Sequence, residues 1–277
     1  MRKKKSPLRR TIRAIFTIGI VVVLIHVAHA LTLDRIIQYR EVSFASQNLP
    51  AEMDGYRIAF ITDTHNISAE RLSAVTRELN NRQIDLLLLG GDFGWTQPSI
   101  SLCPHTLEIL SAIQTTDGAF GVAGNHDNHN VLFPAMRAHG ITPLPSSGVH
   151  IREGFFLANV WNLLPGDASL ADVTQETDFV LLLSHNPDIS MRNDTTGVDL
   201  ILSGHTHGGQ ITFLGLWAPA LTHSSSITNY GQRFMSGWAY SRDGTPVFVS
   251  NGTGEYRRLP RVFARPQVIV ITLLHTY

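Results

Sequence analysis

Residues 58–65 read IAFITDTH, and residues 86–92 read LLLLGGD. In each stretch a short apolar run is followed by a polar end that contains aspartate. The polar end of the first stretch also contains histidine. In three later stretches, at 120–127, 180–185 and 200–207, an apolar run is also followed by a polar end, which contains histidine in each. Short apolar runs bounded by glycine and polar residues are typical of buried strands. These stretches therefore predict a sheet core with polar side chains at the strand ends.

Helical stretches separate the first strands, near residues 69–81, 104–114 and 129–139. Alternation of strands and helices predicts an α/β layered fold. Later strands follow one another more closely, which indicates a second, more antiparallel sheet. We place them at 149–152, 155–161, 178–183, 199–202, 246–250 and 267–273. We interpret residues 51–277 as one domain, and residues 1–50 as a basic N-terminus, an apolar helix and a connector.

The N-terminal segment has the charge pattern of a membrane anchor. Residues 1–13 carry seven basic residues and no acidic residue, and residues 14–33 form a run of twenty without charge. A run of this length can cross a bilayer as a helix. Three interpretations stay open: a single-pass anchor, an export signal cleaved at residues 28–30 (AHA), and an interfacial helix.

Localisation follows from which of these interpretations holds. For a spanning helix the positive-inside rule keeps the basic run in the cytoplasm and places the body outside it. An interfacial helix leaves the body at the cytoplasmic face instead. In both of these arrangements, we expect association with the cell membrane.

Composition and charge exclude several classes of protein. A chain with 43% hydrophobic and 16% charged residues is globular rather than disordered. After residue 13, 15 basic and 22 acidic residues remain, a net charge of −7. We therefore expect a basic tether, an acidic body and no nucleic-acid partner. The single cysteine, Cys103, excludes an internal disulfide and a cysteine-rich zinc module.

The polar residues at the strand ends have the chemistry of metal ligands. Ligands of open α/β sheets gather at the carboxyl ends of the strands, so side chains on several strands converge on one rim. Carboxylate, imidazole and amide groups together suit divalent metals of intermediate hardness. The pattern predicts a metal centre at this rim.

The ordered set of motifs resembles the calcineurin-like metallophosphoesterase family. The motifs are Asp63-x-His65, Gly91-Asp92, Gly124-Asn125-His126-Asp127, His185 and Gly204-His205-Thr206-His207. The longer motif GHTHGGQ at 204–210 is similar to a membrane-associated bacterial branch of that family. The resemblance covers roughly residues 55–273. It implies an αββα sandwich of two mixed sheets flanked by helices, with a dinuclear metal centre.

The resemblance implies two groups of metal ligands joined by one carboxylate. They are Asp63, His65 and His207 for one metal, Asn125, His185 and His205 for the other, and Asp92 between them. The expected cofactors are two divalent ions, manganese, iron or zinc. His126 is expected to stabilise charge on the phosphate and to protonate the leaving oxygen, and Asp127 to orient the imidazole of His126.

Two close metals clamp a phosphate and lower the pKa of bound water, so this constellation predicts hydrolysis of a phosphodiester or pyrophosphate bond. With a membrane anchor, we expect a lipid-linked substrate, such as UDP-2,3-diacylglucosamine of the lipid A pathway. That nucleotide lipid is made at the cytoplasmic face, which conflicts with a spanning anchor. The chain also has no large insertion between its motifs that resembles a lipid-gripping cap. The alternatives are an exported phosphodiesterase or phosphatase for non-lipid phosphoesters, and a non-catalytic metal-binding scaffold.

Two further features bear on the substrate. The apolar segment 211–221 either touches membrane or acyl chains, or is buried under the second sheet. Arg257, Arg258 and Arg261 are candidate substrate-binding residues, because a guanidinium matches phosphate oxygens bidentately. The alternative for these arginines is solvated surface charge.

Overall fold

Strand β2 (Arg57–Ile61) is buried on both of its faces. Ile58 and Phe60 join a core that also contains strand residues of the second sheet, and Ala59 and Ile61 pack among helix residues on the opposite face. Successive side chains of a strand point to opposite faces, so a strand covered on both faces has a continuous apolar run. The uninterrupted apolar runs of the sequence reflect this double burial.

The computed structural model describes residues 7–65, 67–94, 104–144, 146, 148–160, 178–223, 226–255 and 259–276. Its first sheet has six strands in the order β1-β12-β2-β3-β4-β5. Only the pair of β12 and β2 is antiparallel. The bounds of the other strands are β1 (Gln38–Ser46), β3 (Leu86–Leu89), β4 (Ala119–Gly121), β5 (Thr142–Pro143) and β12 (Gln267–His275).

Three helices cover the outer face of this sheet, and their apolar residues share one core with it. They begin and end close to the positions predicted from the sequence. Their bounds are α2 (Ala69–Asn80), α3 (Pro104–Ser111) and α4 (His129–Ala138).

The second sheet also has six strands, in the order β10-β11-β9-β8-β7-β6. The two pairs at its edges are antiparallel and the three central pairs are parallel, so the expected antiparallel character is confirmed only at the edges. The bounds are β6 (Val149–Arg152), β7 (Phe155–Ala158), β8 (Phe179–Leu183), β9 (Leu200–Ser203), β10 (Gly237–Tyr240) and β11 (Pro246–Val249), with short helices α5 (Ile189–Arg192) and α6 (Pro219–His223) between strands.

The predicted αββα sandwich of two mixed sheets flanked by helices is confirmed. The sequence analysis did not anticipate β1, which pairs in parallel with β12 at the edge of the first sheet. Its residues alternate between exposed and half-buried, which is a weak signal in a sequence. The division of the chain at residue 50 stays a prediction.

Helix α1 (Pro7–Leu31) has 25 residues, none of them buried. At 1.5 Å per residue it is about 38 Å long, longer than the hydrocarbon core of a bilayer. Among the described residues it is the one helix long and apolar enough to cross a membrane.

Candidate metal centre

The candidate ligands lie on loops that follow β2, β3, β4, β8 and β9. Within each sheet these strands run parallel, so their carboxyl ends meet at one edge. Most of the ligand residues have a backbone in the left-handed region, which is uncommon for residues other than glycine. Their φ angles are 53° at Asp63, 38° at His65, 57° at Asp92, 70° at His205 and 54° at His207. Such conformations cluster at functional sites because the surrounding structure has to stabilise them.

Glycines next to the ligands allow the loops to approach the carboxylates closely. A Cβ atom at Gly124 would lie 2.1 Å from Oδ1 of Asp92, and one at Gly204 would lie 2.2 Å from Oδ2 of Asp63. No side chain fits at either distance. The glycines of these two motifs are therefore required by packing against the carboxylates.

Two groups of three buried side chains could each hold a metal ion. They are Asp63, His65 and His207, and Asp92, His185 and His205, and within each group the potential ligand atoms lie within 4.8 Å of one another.

Ring nitrogens in both groups approach each other at the spacing of metal ligands. In the first group, Nε2 of His65 lies 3.0 Å from Nε2 of His207. In the second, Nε2 of His185 lies 3.2 Å from Nδ1 of His205 and 3.1 Å from Oδ1 of Asn125. Two nitrogens bound at about 2.1 Å to one ion are about 3.0–3.4 Å apart in octahedral or tetrahedral geometry. The donor sets and their spacing fit divalent cations.

Asp92 lies between the two groups. Its Oδ2 is 3.2 Å from Nε2 of His185 and 3.6 Å from Nε2 of His65, so one oxygen faces both groups. Its Oδ1 accepts a hydrogen bond from the backbone N–H of His126 at 2.8 Å. This arrangement suits a carboxylate that is shared by two cations.

Backbone carbonyls orient two of the imidazole rings. Nδ1 of His65 lies 3.1 Å from the carbonyl oxygen of Gly94, and Nδ1 of His185 lies 2.8 Å from that of Gly90. A proton on Nδ1 that is donated to a carbonyl leaves Nε2 free to bind a metal, as is usual for ligating histidines. The sequence could not reveal these partners, because they act through the backbone.

The charges of the site match a cation centre. Burial lowers the pKa of His65 and of His205 to about 4, and that of His207 well below its ordinary value. These rings are therefore neutral near pH 7, the form that binds metals. His185 differs: burial lowers its pKa, but the carboxylate of Asp92 outweighs burial and raises that pKa to about 10, and His185 in turn holds the pKa of Asp92 well below its usual range. A cation bound at this group would take the place of the proton on His185.

Asp63 is fixed by two donors. Its carboxylate accepts hydrogen bonds from Oγ1 of Thr62 at 2.7 Å and from the backbone N–H of His205 at 3.0 Å. Burial raises its pKa to about 6. Thr62 was missed by the sequence analysis, and its position next to Asp63 was the available signal.

His126 and Asp127, the expected catalytic residues, lie at the rim of the site. The ring centroid of His126 is 5.5 Å from that of His65. At this distance the imidazole of His126 could contact a phosphate bound at the first group of ligands. The carboxylate of Asp127 accepts backbone N–H groups of Asp92 at 2.6 Å, Phe93 at 3.0 Å and Gly124 at 2.9 Å. It thus joins the loops after β3 and β4. We propose that Asp127 positions Asp92, and its expected role of orienting His126 stays a prediction.

Arg261 does not have the surroundings expected of a substrate-binding residue. Its side chain is buried, with 1% relative exposure. The guanidinium donates hydrogen bonds to four backbone carbonyls, those of His207, Asn251, Gly254 and Ala264. Because these bonds use all three of its nitrogens, we assign it a structural role that holds His207 in place. Arg257 and Arg258 lie outside the described residues.

A cleft of about 390 Å³ opens beside the second group of ligands. Asn125, Asn159, His185 and Arg192 are among the residues that line it. A bound phosphoester can extend into this space from the candidate metal centre.

The fold and the two ligand groups define a class of protein, the metal-dependent hydrolases built on a two-sheet sandwich. Residues 56–209 match the family model described as calcineurin-like phosphoesterase, and the chain belongs to this family. The protein is a metal-dependent phosphoester hydrolase. Its family implies divalent metals, in agreement with the two candidate groups.

Three relatives place the chain within the family. It is 27% identical over 254 residues to the metallophosphoesterase YkuE of Bacillus subtilis, covering 87% of this chain and 86% of YkuE. It is 25% identical to the phosphodiesterase YaeI of Escherichia coli, covering 79% of this chain and 82% of YaeI. It is 24% identical to a transmembrane protein with metallophosphoesterase domain of Danio rerio, covering 84% of this chain but only 56% of that protein.

Proposed function

We propose that the protein is a membrane-tethered two-metal phosphoesterase that hydrolyses a phosphodiester or pyrophosphate bond in a lipid-linked substrate. The observation that carries this proposal is the position of the anchor. In the sheet register, Gln38 at the start of β1 pairs with Gln267, and Ile269 pairs with Phe60 near the end of β2. Strand β1 therefore begins at the edge where β2 ends, so helix α1 joins the body beside the candidate metal centre.

Short contacts connect this edge to the ligands. The backbone N–H of Gln267 donates to the carbonyl of Gly252 at 2.9 Å, and Gly252 lies against Asp63. A phosphate carried by a lipid is held near the membrane surface, as is an enzyme with such an anchor. Confinement raises the effective concentration of one for the other.

In this proposal each residue of the site has a separate role in the hydrolysis. Two divalent cations, when bound, polarise the phosphate oxygens and lower the pKa of water. Asp92 is shared by the two ligand groups, and its position fixes their separation. His126, at the rim, donates a proton to the leaving oxygen. The ligands proposed for the ions are Asp63, His65 and His207, and Asn125, His185 and His205.

Hydrolysis of bis-p-nitrophenyl phosphate by the full chain with added manganese tests the activity. Asp92→Ala should lose metal and activity together, because the variant lacks the shared ligand. His126→Ala should keep its metal content and lose about 10²–10⁴-fold in kcat, the usual contribution of a general acid. A His126→Ala variant with wild-type turnover, or one without metal, would contradict these assignments.

A matched pair of substrates tests the lipid part of the proposal. UDP-2,3-diacylglucosamine in vesicles and the soluble UDP-N-acetylglucosamine carry the same pyrophosphate. The vesicle substrate should show a kcat/KM higher by about 10²-fold, the lower range expected from confinement. Equal values would instead favour an exported phosphodiesterase for non-lipid phosphoesters.

A further inference from the structure

Residues 211–217, which we call the apolar hairpin, begin four positions after the last candidate ligand, His207. The relative exposures of its side chains are large: 51% for Phe213, 76% for Leu216 and 44% for Trp217. Residues 208–232 contain no Asp, Glu, Lys or Arg. Exposed apolar patches without charge mark sites of interaction with a membrane or with another molecule.

The tip of the hairpin has an unusual residue for a turn in water. The backbone N–H of Leu216 donates to the carbonyl of Phe213 at 2.9 Å. The two central residues, Leu214 and Gly215, have φ angles of 53° and 74°. Tight hairpin turns with two positive φ angles prefer Asn-Gly or Asp-Gly, because asparagine and aspartate tolerate this conformation. Leucine at this position places an apolar side chain at the tip, which fits an apolar environment.

Helix α1 holds the hairpin from one side. Nε2 of His26 accepts the backbone N–H of Leu214 at 3.3 Å, and Nδ1 of His26 lies 2.7 Å from the carbonyl oxygen of Val22, to which it donates. The His26 ring also stacks on Phe213, with centroids 5.5 Å apart. Both ring nitrogens therefore have partners, which lowers the cost of placing this histidine in lipid.

A second set of contacts between α1 and the body lies nearer the end of the helix. The His29 ring stacks on Phe263 with a centroid distance of 3.8 Å, and Nδ1 of His29 lies 2.7 Å from Oδ2 of Asp34. The buried Asp34 also accepts the backbone N–H groups of Phe263 at 2.9 Å and Ala264 at 3.1 Å. The helix is thus fixed to the body at two levels, which sets its angle to the metal centre.

We propose that the apolar hairpin is a second membrane-contacting surface, inserted into the lipid beside α1, so that the candidate metal centre faces the lipid headgroups. This inference rests on the membrane tethering in the proposed function. His26 lies five residues before the helix end at Leu31, about 7–8 Å along the axis. Amphipathic segments that bind at bilayer surfaces bury their apolar faces about 5–10 Å deep, so the hairpin has the reach to enter the lipid.

Depth-dependent quenching in the full chain tests this proposal. The single cysteine, Cys103, is replaced by serine, and Leu216→Cys carries an environment-sensitive fluorophore. The protein is reconstituted into vesicles of phosphatidylethanolamine and phosphatidylglycerol with nitroxide-labelled lipids. The matched control is Gln47→Cys, an exposed position just beyond the far end of β1, which is a strand roughly 26 Å long.

The Leu216 label should shift its emission to the blue and lose most of its fluorescence to the nitroxide lipids, whereas the Gln47 label keeps most of its fluorescence. Equal quenching of the two labels would overturn the proposal. A blue shift that depends on protein density and resists quenching would also overturn it, because a second copy of the chain would then cover the hairpin.

The contacts that His26 and His29 make with the body are tested with the double variant H26A/H29A in the labelled protein. Loss of these contacts should lower the quenching of the Leu216 label, because the hairpin is no longer held against α1. Unchanged quenching would contradict the role assigned to the two histidines. These measurements need no turnover, so an inactive preparation would refute the proposed function without affecting this readout.

Discussion

Arg261→Ala should destabilise the protein by about 3–5 kcal/mol, the usual effect of breaking a buried charged network. The magnitude follows from the bonds that the guanidinium makes. Four backbone carbonyls, those of His207, Asn251, Gly254 and Ala264, accept its hydrogen bonds. Each buried carbonyl left without a partner costs about 1–3 kcal/mol, and water that enters the space recovers part of the sum.

Thermal unfolding of the full chain in detergent measures this effect. One kcal/mol shifts the Tm of a domain of this size by about 2–4 °C, so the variant should melt about 6–20 °C lower. Its metal affinity should fall by about 10–100-fold, as is typical when a group that supports a ligand is removed. The control is Arg242→Ala, whose side chain is 54% exposed and pairs only with Asp243 among the ion pairs found in the described residues. An exposed pair of this kind contributes about 0–1 kcal/mol. An Arg261→Ala variant with unchanged Tm and a raised KM would refute the structural role and restore the substrate contact.

Three further changes test the geometry of the site. Gly204→Ala should lose bound metal and about 10²-fold in kcat, because the new methyl group displaces Asp63. Metal analysis checks this, with Gly19→Ala in helix α1 as the control, where the backbone is helical and an added Cβ meets no atom within 4 Å. Asp127→Asn should lower kcat by about 10–100-fold with little change in KM, because an amide nitrogen would face the backbone N–H groups that now donate to a carboxylate oxygen. Steady-state kinetics check this, since the loss of a substrate contact would raise KM instead. Chelation of the metals should abolish hydrolysis and lower the Tm, because ions at 100 times their Kd stabilise the folded state by about 2.7 kcal/mol. Added manganese should restore both the activity and the Tm. A chelated sample with full activity would contradict the metal centre.

The parts of the fold that the sequence predicted are those with a local signal. Strands β2, β3, β8 and β9 are buried on both faces, so each is a continuous apolar run that ends in a polar motif. Strand β1 has alternating half-exposed residues and gains its place by pairing with β12, more than two hundred residues later. Strand β5 has only two residues, and its identity depends on pairing with β4. Such strands become visible only when their partners are known.

The same distinction applies to the site. Ligand types and their order are properties of the sequence, and the structure brings those ligands together in two groups. The surroundings of Arg261 and Asp127 are not local properties. Arg261 is exposed or buried according to whether the loop at 251–254 folds over it, and Asp127 meets a loop that starts more than thirty residues earlier. The chemistry of an arginine or an aspartate is the same in both settings, so residue type alone could not reveal these backbone contacts.

The distribution of apolar residues around α1 bears on which substrates can reach the site. A helix that lies in one leaflet has an apolar face and a polar face, whereas a spanning helix is apolar all round. Residues 20–25 read IVVVLI, and six consecutive helical positions cover every direction around the axis. We therefore propose that α1 spans the bilayer, with the seven basic residues of positions 1–13 on one side and the candidate metal centre on the other. The positive-inside rule then places the centre outside the cytoplasm. In that arrangement UDP-2,3-diacylglucosamine, which is made at the cytoplasmic face, is a weaker candidate than a lipid phosphoester of the opposite face. A reporter fused to the C-terminus decides between the two, since a cytoplasmic C-terminus would contradict the spanning arrangement and return the nucleotide lipid to first place.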